Sequence, residues 1–201
     1  GRINVVILDK TGTITKGEPT LTDVIPLNNQ PSDTLLRLAA SAESGSEHTI
    51  GNAIVKTAKE KGLALENPSQ FRAFGGFGIR AVVNDSTIII GNIRMMHNEG
   101  IEIEPYMSLI SRLQNDGKTV MIAASENESR EGNAKPIGIF AVADTIKPGA
   151  KEAIEELHKL GLDLVMITGD NQSTANAIAK QVGIERVIAE VLPGEKADEI
   201  K

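Results

Sequence analysis

The sequence predicts an α/β fold: a doubly wound parallel sheet whose chain is interrupted by a second, inserted α+β domain. Three observations carry this. "INVVIL" near the start and "LDLVMI" at 162–167 are apolar runs of the kind found in strands covered on both faces. Between and after them, "KPGAKEAIEELHKLG" and "STANAIAKQVG" set apolar residues at helical spacing, so strand and helix alternate. The middle of the chain lacks that alternation and reads as helices followed by a hairpin sheet.

Taken in order, "INVVIL" forms the first strand and ends on Asp9. "DTLLRLAASAES" and "TIGNAIVKTAKEKG" are two consecutive helices. "FRAFGGFGIRAVVNDSTIIIG" follows, with "ND" placed as a hairpin turn, and then a strand "TVMIAAS". "DGKT" at Asp116–Thr119 is a turn between helix and strand, and "ENESREGNAK" is a polar loop. Ala150, Ala153, Ile154 and Leu157 share a helix face that Gly161 terminates. Ala175, Ile178, Ala179 and Val182 share another, and "RVIAEV" is the last strand. The expected boundaries are 1–22 and 135–201 for the parallel domain and 23–134 for the insert.

Composition narrows the function. The 40% hydrophobic content supports real cores, but only 2% of the 201 residues are aromatic, so Ile, Val, Leu and Ala must fill them. A net charge of -6 argues against nucleic acid as a partner, which demands basic faces. Without cysteine there is no thiol nucleophile, disulfide framework or thiolate metal site. No segment reaches the ~20 apolar residues of a membrane span. The start at Gly1, directly before a strand, reads as a piece excised from a larger protein, which leaves a membrane-bound parent open.

Open parallel sheets bind ligands beyond the carboxyl ends of their strands, where Asp9 and Asp170 both fall. A carboxylate there, followed by a glycine-bearing turn, can attack phosphorus and become an aspartyl phosphate. Phosphatases built this way often carry a second acid two residues on, to activate water. Thr11 stands at that position and cannot act as the base, so an acyl phosphate on Asp9 would persist.

"DKTGT" at Asp9–Thr13 resembles the phosphorylation motif of P-type ATPases, and "TGDN" at Thr168–Asn171 and "LPGEK" at Leu192–Lys196 match two further motifs in the family's order. "SEHT", "GFG" and "GN" resemble the nucleotide-binding set of the heavy-metal-transporting branch. The resemblance covers essentially the whole chain. It implies a phosphorylation domain of haloacid-dehalogenase type carrying an inserted nucleotide-binding domain, with Mg²⁺ and ATP as cofactors. By the same resemblance Asp9 accepts the γ-phosphate and Thr11 gives Mg²⁺ a backbone carbonyl. Thr168 and Gly169 contact phosphoryl oxygens, Lys196 supplies charge, and Asp170 orients Lys196 or the metal's water shell. Asp144 and Lys147 mark the hinge. Glu47 would accept from the adenine amino group and His48 stack on or orient the base. Gly76, Gly78 and Gly91 would admit the ligand closely, and Asn92 would support the loop or cap the next helix.

Two departures from the family pattern stand out. Thr49 replaces the proline that usually follows the histidine of the "SEH" motif. The chain also stops before the "GDGxND" segment that would add an acidic magnesium ligand, so nucleotide binding is expected more readily than turnover. The resemblance implies the catalytic core of an ATP-driven heavy-metal exporter, copper being favoured, at the cytoplasmic face of a membrane. Its partners would be ATP and the pump's own transmembrane and actuator regions, with the transported ion bound elsewhere. A soluble phosphatase with a cap domain and a nucleotide-binding module without catalysis are the alternatives.

Overall fold

A computed structural model describes residues 3–46, 48–127 and 134–191. Two compact units divide the chain: Gly1–Pro19, Ser111–Thr119 and Ala143–Lys201 form one, Thr20–Ile110 and Val120–Val142 the other. The insertion architecture is thus present, with the breaks falling at Pro19 and Val142. They fall there because β2 (Thr20–Pro26) and β7 (Lys135–Ala143) are neighbours in the second unit's sheet.

The first unit holds a sheet in the order β1-β8-β9, formed by Val5–Asp9, Asp163–Ile167 and Arg186–Ile188. All pairings are parallel, and Asp9 lies in register with Ile167. The last strand is therefore shorter than "RVIAEV", because Glu190 turns away with φ +61. Two amphipathic helices serve this sheet, α5 (Ala150–Lys159) and α6 (Gln172–Val182). Ile154, Ala175, Ile178, Ala179 and Val182 pack with Leu164, Met166 and Ile14 in one core. Asn171 caps α6, its side chain accepting from Thr174 N at 3.0 Å, and Gly183 ends it with φ +85.

The second unit is a six-stranded sheet in the order β2-β7-β6-β5-β4-β3, where β3 is Ser69–Phe74, β4 Gly78–Val83, β5 Ser86–Gly91 and β6 Thr119–Asn127. The pairs β3–β4, β4–β5 and β5–β6 are antiparallel. Asn84 and Asp85 form the expected two-residue turn with φ +50 and +58, the left-handed pair of a type I′ hairpin. Helices α1 (Ser32–Glu43) and α2 (Thr49–Glu60) pack on this sheet: Leu35, Leu36, Ala39, Ala40, Ile54 and Ala58 meet Ile79, Ala81, Ile88, Ile90 and Phe140. Ile88, Ile89 and Ile90 are all buried, so β5 is covered on both faces, and a continuous apolar run is what such a strand requires. Helices α3 (Ile93–Asn98) and α4 (Met107–Asn115) complete the order of elements. Among the described residues no helix is long and apolar enough to cross a membrane.

Candidate active site

At the carboxyl end of β1 the chain turns through Lys10–Ile14. Gly12 takes φ +78, and Thr15 closes the loop by donating both its amide and its hydroxyl to the Lys10 carbonyl at 3.0 Å. Thr11, Gly12 and Thr13 are exposed, whereas Lys10 is 8% exposed. A lysine is buried only with a partner, and Lys10 has one: its Nζ lies 2.6 Å from Asp170 Oδ2. Asp170 thus pairs with the neighbour of Asp9; the resemblance directed it to Lys196 or to water around a metal, neither of which the described residues include.

Thr168, Gly169 and Asp170 leave β8 beside this loop. Thr168 is 2% exposed; its hydroxyl donates to Asp170 Oδ2 at 3.2 Å, and its amide to Ile188 O at 3.0 Å. A side chain on Gly169 would crowd Val191 O at 3.2 Å. The fold thus brings Asp9, Lys10, Thr168, Gly169 and Asp170 to one end of one parallel sheet. Lys196 lies outside the described residues.

Asp144 and Lys147 adjoin the same loop from its far side. Asp144 accepts from Thr15 Oγ1 at 2.5 Å and from the Gly17 amide at 3.1 Å, while Lys147 Nζ donates to the Gly12 carbonyl. An isolated antiparallel bridge joins Thr15 to Ile146.

A separate cluster occupies the second unit. His48 caps α2, its Nδ1 accepting from Ile50 N at 3.4 Å, which puts the proton of the neutral ring on Nε2. The ring keeps solvent contact, yet desolvation by the chain around it lowers the imidazole pKa. Beneath this cap lies a residue that sequence reasoning missed. Glu43 is 3% exposed, and its Oε2 has no hydrogen-bond partner among the described residues. Burial pushes its pKa from 4.5 up to about 7, opposed by a hydrogen bond with Ser46. Its carboxyl fills the space over Gly51, where any Cβ would collide with it. The signal was present, since Glu43 continues the apolar stripe of Leu36, Ala39 and Ala40 on α1. Glu47 lies outside the described residues.

Gly76, Gly78, Gly91 and Asn92 assemble around the end of the β4–β5 pair. Asn92 does both tasks expected of it. Its Oδ1 caps α3 by accepting from Met95 N at 3.0 Å, and its Nδ2 donates to Gly76 O at 2.9 Å. Gly78 and Gly91 face each other in register. A Cβ on Gly78 would lie 2.5 Å from Gly91 Cα and 2.7 Å from Met95 Sδ, and one on Gly91 would strike Met95. Internal packing alone therefore demands glycine at both positions.

An aspartate at the mouth of a parallel sheet, with a threonine and a lysine–aspartate pair on the neighbouring turn, defines a hydrolase of haloacid-dehalogenase type. The haloacid dehalogenase-like hydrolase family matches residues 3–201, and the chain belongs to it. Within that family its relatives are heavy-metal P-type ATPases, the branch that "SEHT", "GFG" and "GN" resemble. It is 44% identical over 199 residues to the copper-exporting P-type ATPase of Bacillus subtilis, a match covering 99% of this chain and 24% of that protein. It is 41% identical over 201 residues to the probable copper-exporting P-type ATPase V of Mycobacterium tuberculosis, covering 100% and 25%. Among solved structures, a zinc-transporting PIB-type ATPase in its E2.Pi state superposes with a TM-score of 0.67 at 34% identity, covering 100% of this chain and 31% of that one. The catalytic domain of the CPx-ATPase CopB-B gives 0.68 at 26% identity, covering 99% and 65%. The chain spans about a quarter of the length of the curated relatives it matches.

Proposed function

We propose that this chain is the catalytic core of an ATP-driven copper-exporting pump, in which Asp9 takes the γ-phosphate of ATP. The observation that carries the reading is the placement of Asp9 beside Thr168 and the Lys10–Asp170 pair at 2.6 Å. An Asp9 oxygen attacks phosphorus, the bond to the bridging oxygen breaks, and ADP leaves with the electron pair. Thr168 and Gly169 offer donors to the phosphoryl oxygens in flight, and Lys10, fixed by Asp170, holds positive charge next to the nucleophile. Lys196 adds a second cation. Because Thr11 cannot activate water, the acyl phosphate outlives its formation and can bias a membrane part between two states.

The donors present suit Mg²⁺, which takes oxygen ligands and keeps several waters. Asp9 would give its carboxylate and Thr11 its carbonyl. Asp170 is committed to Lys10. No cluster of three acids, histidines or cysteines occurs among the described residues, and water and phosphate oxygens would stand among the ion's other ligands. Such an ion would neutralise charge on the phosphates.

For the nucleotide, Glu43 joins Glu47, His48, Gly76, Gly78, Gly91 and Asn92. A carboxyl that is half protonated near neutral pH can donate to a ring nitrogen and accept from an exocyclic amino group, which is the edge adenine presents. The decisive experiment replaces Asp9 with Asn. It should abolish acid-stable, hydroxylamine-sensitive labelling by γ-labelled ATP in the full-length protein while nucleotide binding persists. Labelling that survives in Asp9→Asn refutes the assignment.

A further inference from the structure

The turn "DGKT" has none of the roles assigned so far, yet three successive residues seat it on α6 and on Asp170. Gly117 is buried with φ +77, and a Cβ there would lie 3.2 Å from Ile178 Cδ1 and 3.7 Å from Ala177 Cβ. The Lys118 carbonyl accepts from the buried Thr174 hydroxyl at 2.8 Å, in the first turn of α6. Thr119 Oγ1 donates to Asp170 Oδ1 at 3.1 Å. This segment belongs to the same compact unit as Asp9 and Asp170, although it lies far from both in sequence. A solvent-facing turn between helix and strand requires none of these contacts.

We propose that Thr119 is a positioning residue for phosphoryl transfer: its hydroxyl fixes the Asp170 carboxylate, and through it the Lys10 ammonium beside Asp9. The two carboxylate oxygens divide the work. Oδ2 holds Lys10 at 2.6 Å and accepts from Thr168 Oγ1 at 3.2 Å, while Oδ1 accepts from Thr119. A carboxylate anchored on one oxygen alone can rotate about its χ2, a broad torsion. Oδ1 therefore needs its own donor if Lys10 is to stay in one place. Thr119 touches no reacting atom and acts only through Asp170. The valine isostere keeps the side-chain volume and removes the donor, whereas serine keeps the donor and removes a methyl.

The effect on phosphoryl transfer rests on the function proposed above, so two readouts are taken on the full-length protein. The first is the rate at which Lys10 is acetylated by acetic anhydride, followed by peptide mass spectrometry with exposed Lys180 as internal standard. The second is phosphoenzyme formation from γ-labelled ATP over a range of nucleotide concentrations. Thr119→Val should label severalfold faster at Lys10 alone. It should also form phosphoenzyme about tenfold more slowly at saturating ATP, the scale of one lost hydrogen bond to a charged group, with the half-saturating ATP concentration unchanged. Thr119→Ser should restore both. Unchanged Lys10 labelling overturns the proposal, as does faster labelling with an undiminished phosphorylation rate. Lys180 labelling that rises in both Thr119→Val and Thr119→Ala marks a merely structural residue and overturns it too. If the unsubstituted protein takes no phosphate while Lys10 still labels faster in Thr119→Val, the positioning stands and the pump reading fails.

Discussion

Asp144 accepts a 2.5 Å hydrogen bond from Thr15 Oγ1 across 129 positions of sequence. The same carboxylate takes the Gly17 amide, and the Lys16 and Lys147 amides donate to Thr145 O and Ile14 O at 2.9 Å. The points at which the chain leaves and rejoins the first unit are thus stapled together.

Removing the staple has a defined cost. Hydrogen bonds to charged groups contribute about 1.5–3 kcal/mol each, and Thr15 is fully buried, so its hydroxyl would keep only the Lys10 carbonyl. Asp144→Ala should lower the stability of the first unit by about 2 kcal/mol. Amide hydrogen exchange at Lys16 and Lys147 should accelerate accordingly while amides of β4 and β5 stay protected. Equal acceleration in both units contradicts this.

Glu43 makes stability depend on pH, and the sign follows from its raised pKa. Below about 4.5 the folded and unfolded chains are both protonated at this group, and it contributes nothing. Between 4.5 and about 7 the unfolded chain loses the proton first, so stability falls as pH rises. At about 1.4 kcal/mol per pH unit, the loss reaches about 3 kcal/mol by neutrality. Glu43→Gln should flatten this part of the profile in urea unfolding at pH 5, 6 and 7. An unchanged slope would show that Glu43 is already ionised in the folded chain.

The facing glycines separate two kinds of steric cost. A Cβ on Gly78 meets backbone atoms of Ile90 and Gly91, at φ +153, whereas one on Gly91 meets only the Met95 side chain. Backbone in a paired ladder cannot yield, and of the Met95 atoms over Gly91 only Sδ and Cγ can swing away, the Cβ at 2.7 Å being held by its own backbone. Gly78→Ala should therefore destabilise the second unit by more than about 3 kcal/mol, and Gly91→Ala by about 2 kcal/mol. Adding Met95→Ala, which keeps that Cβ, should relieve the Gly91→Ala defect only in part and leave that of Gly78→Ala. Thermal unfolding of the five proteins tests the ranking.

Asp170→Ala strands Lys10, which is 8% exposed, without its counter-charge. Breaking a buried pair from one side costs about 3–5 kcal/mol, whereas replacing both members can be nearly neutral. Asp170→Ala should therefore be more destabilising than the double variant Lys10→Met, Asp170→Ala in chemical unfolding. The reverse order would mean that solvent already screens the pair.

Much of this was legible in the chain because it rests on local rules. Apolar runs announced β1, β5 and β8, "ND" announced its hairpin, and Asn92 and Gly161 announced helix ends. The choice of partner between distant side chains was not legible. Nothing adjacent to Asp170 says that it reaches Lys10, a partner 160 positions away in sequence. Gly78 and Gly91 read as clearance for a ligand, and sequence does not reveal that Met95 crowds both positions as well. Glu43 was obscured by "AASAES", where a lone acid reads as solvent-facing until its helical phase is counted.

The parallel pairing of β1 with β8 has a consequence for biogenesis. Val5–Asp9 leaves the ribosome well before its partner, since the strand it must join, beginning at Asp163, emerges after the whole six-stranded sheet. Throughout that interval "VVIL" waits as an unpaired apolar ribbon bearing Asp9. The inserted unit can fold to completion meanwhile, since its own strands need nothing from either end. Asp9 is translated early and its surroundings are assembled last, so a nascent chain should hold a finished insert before Asp9 meets Thr168 and Asp170.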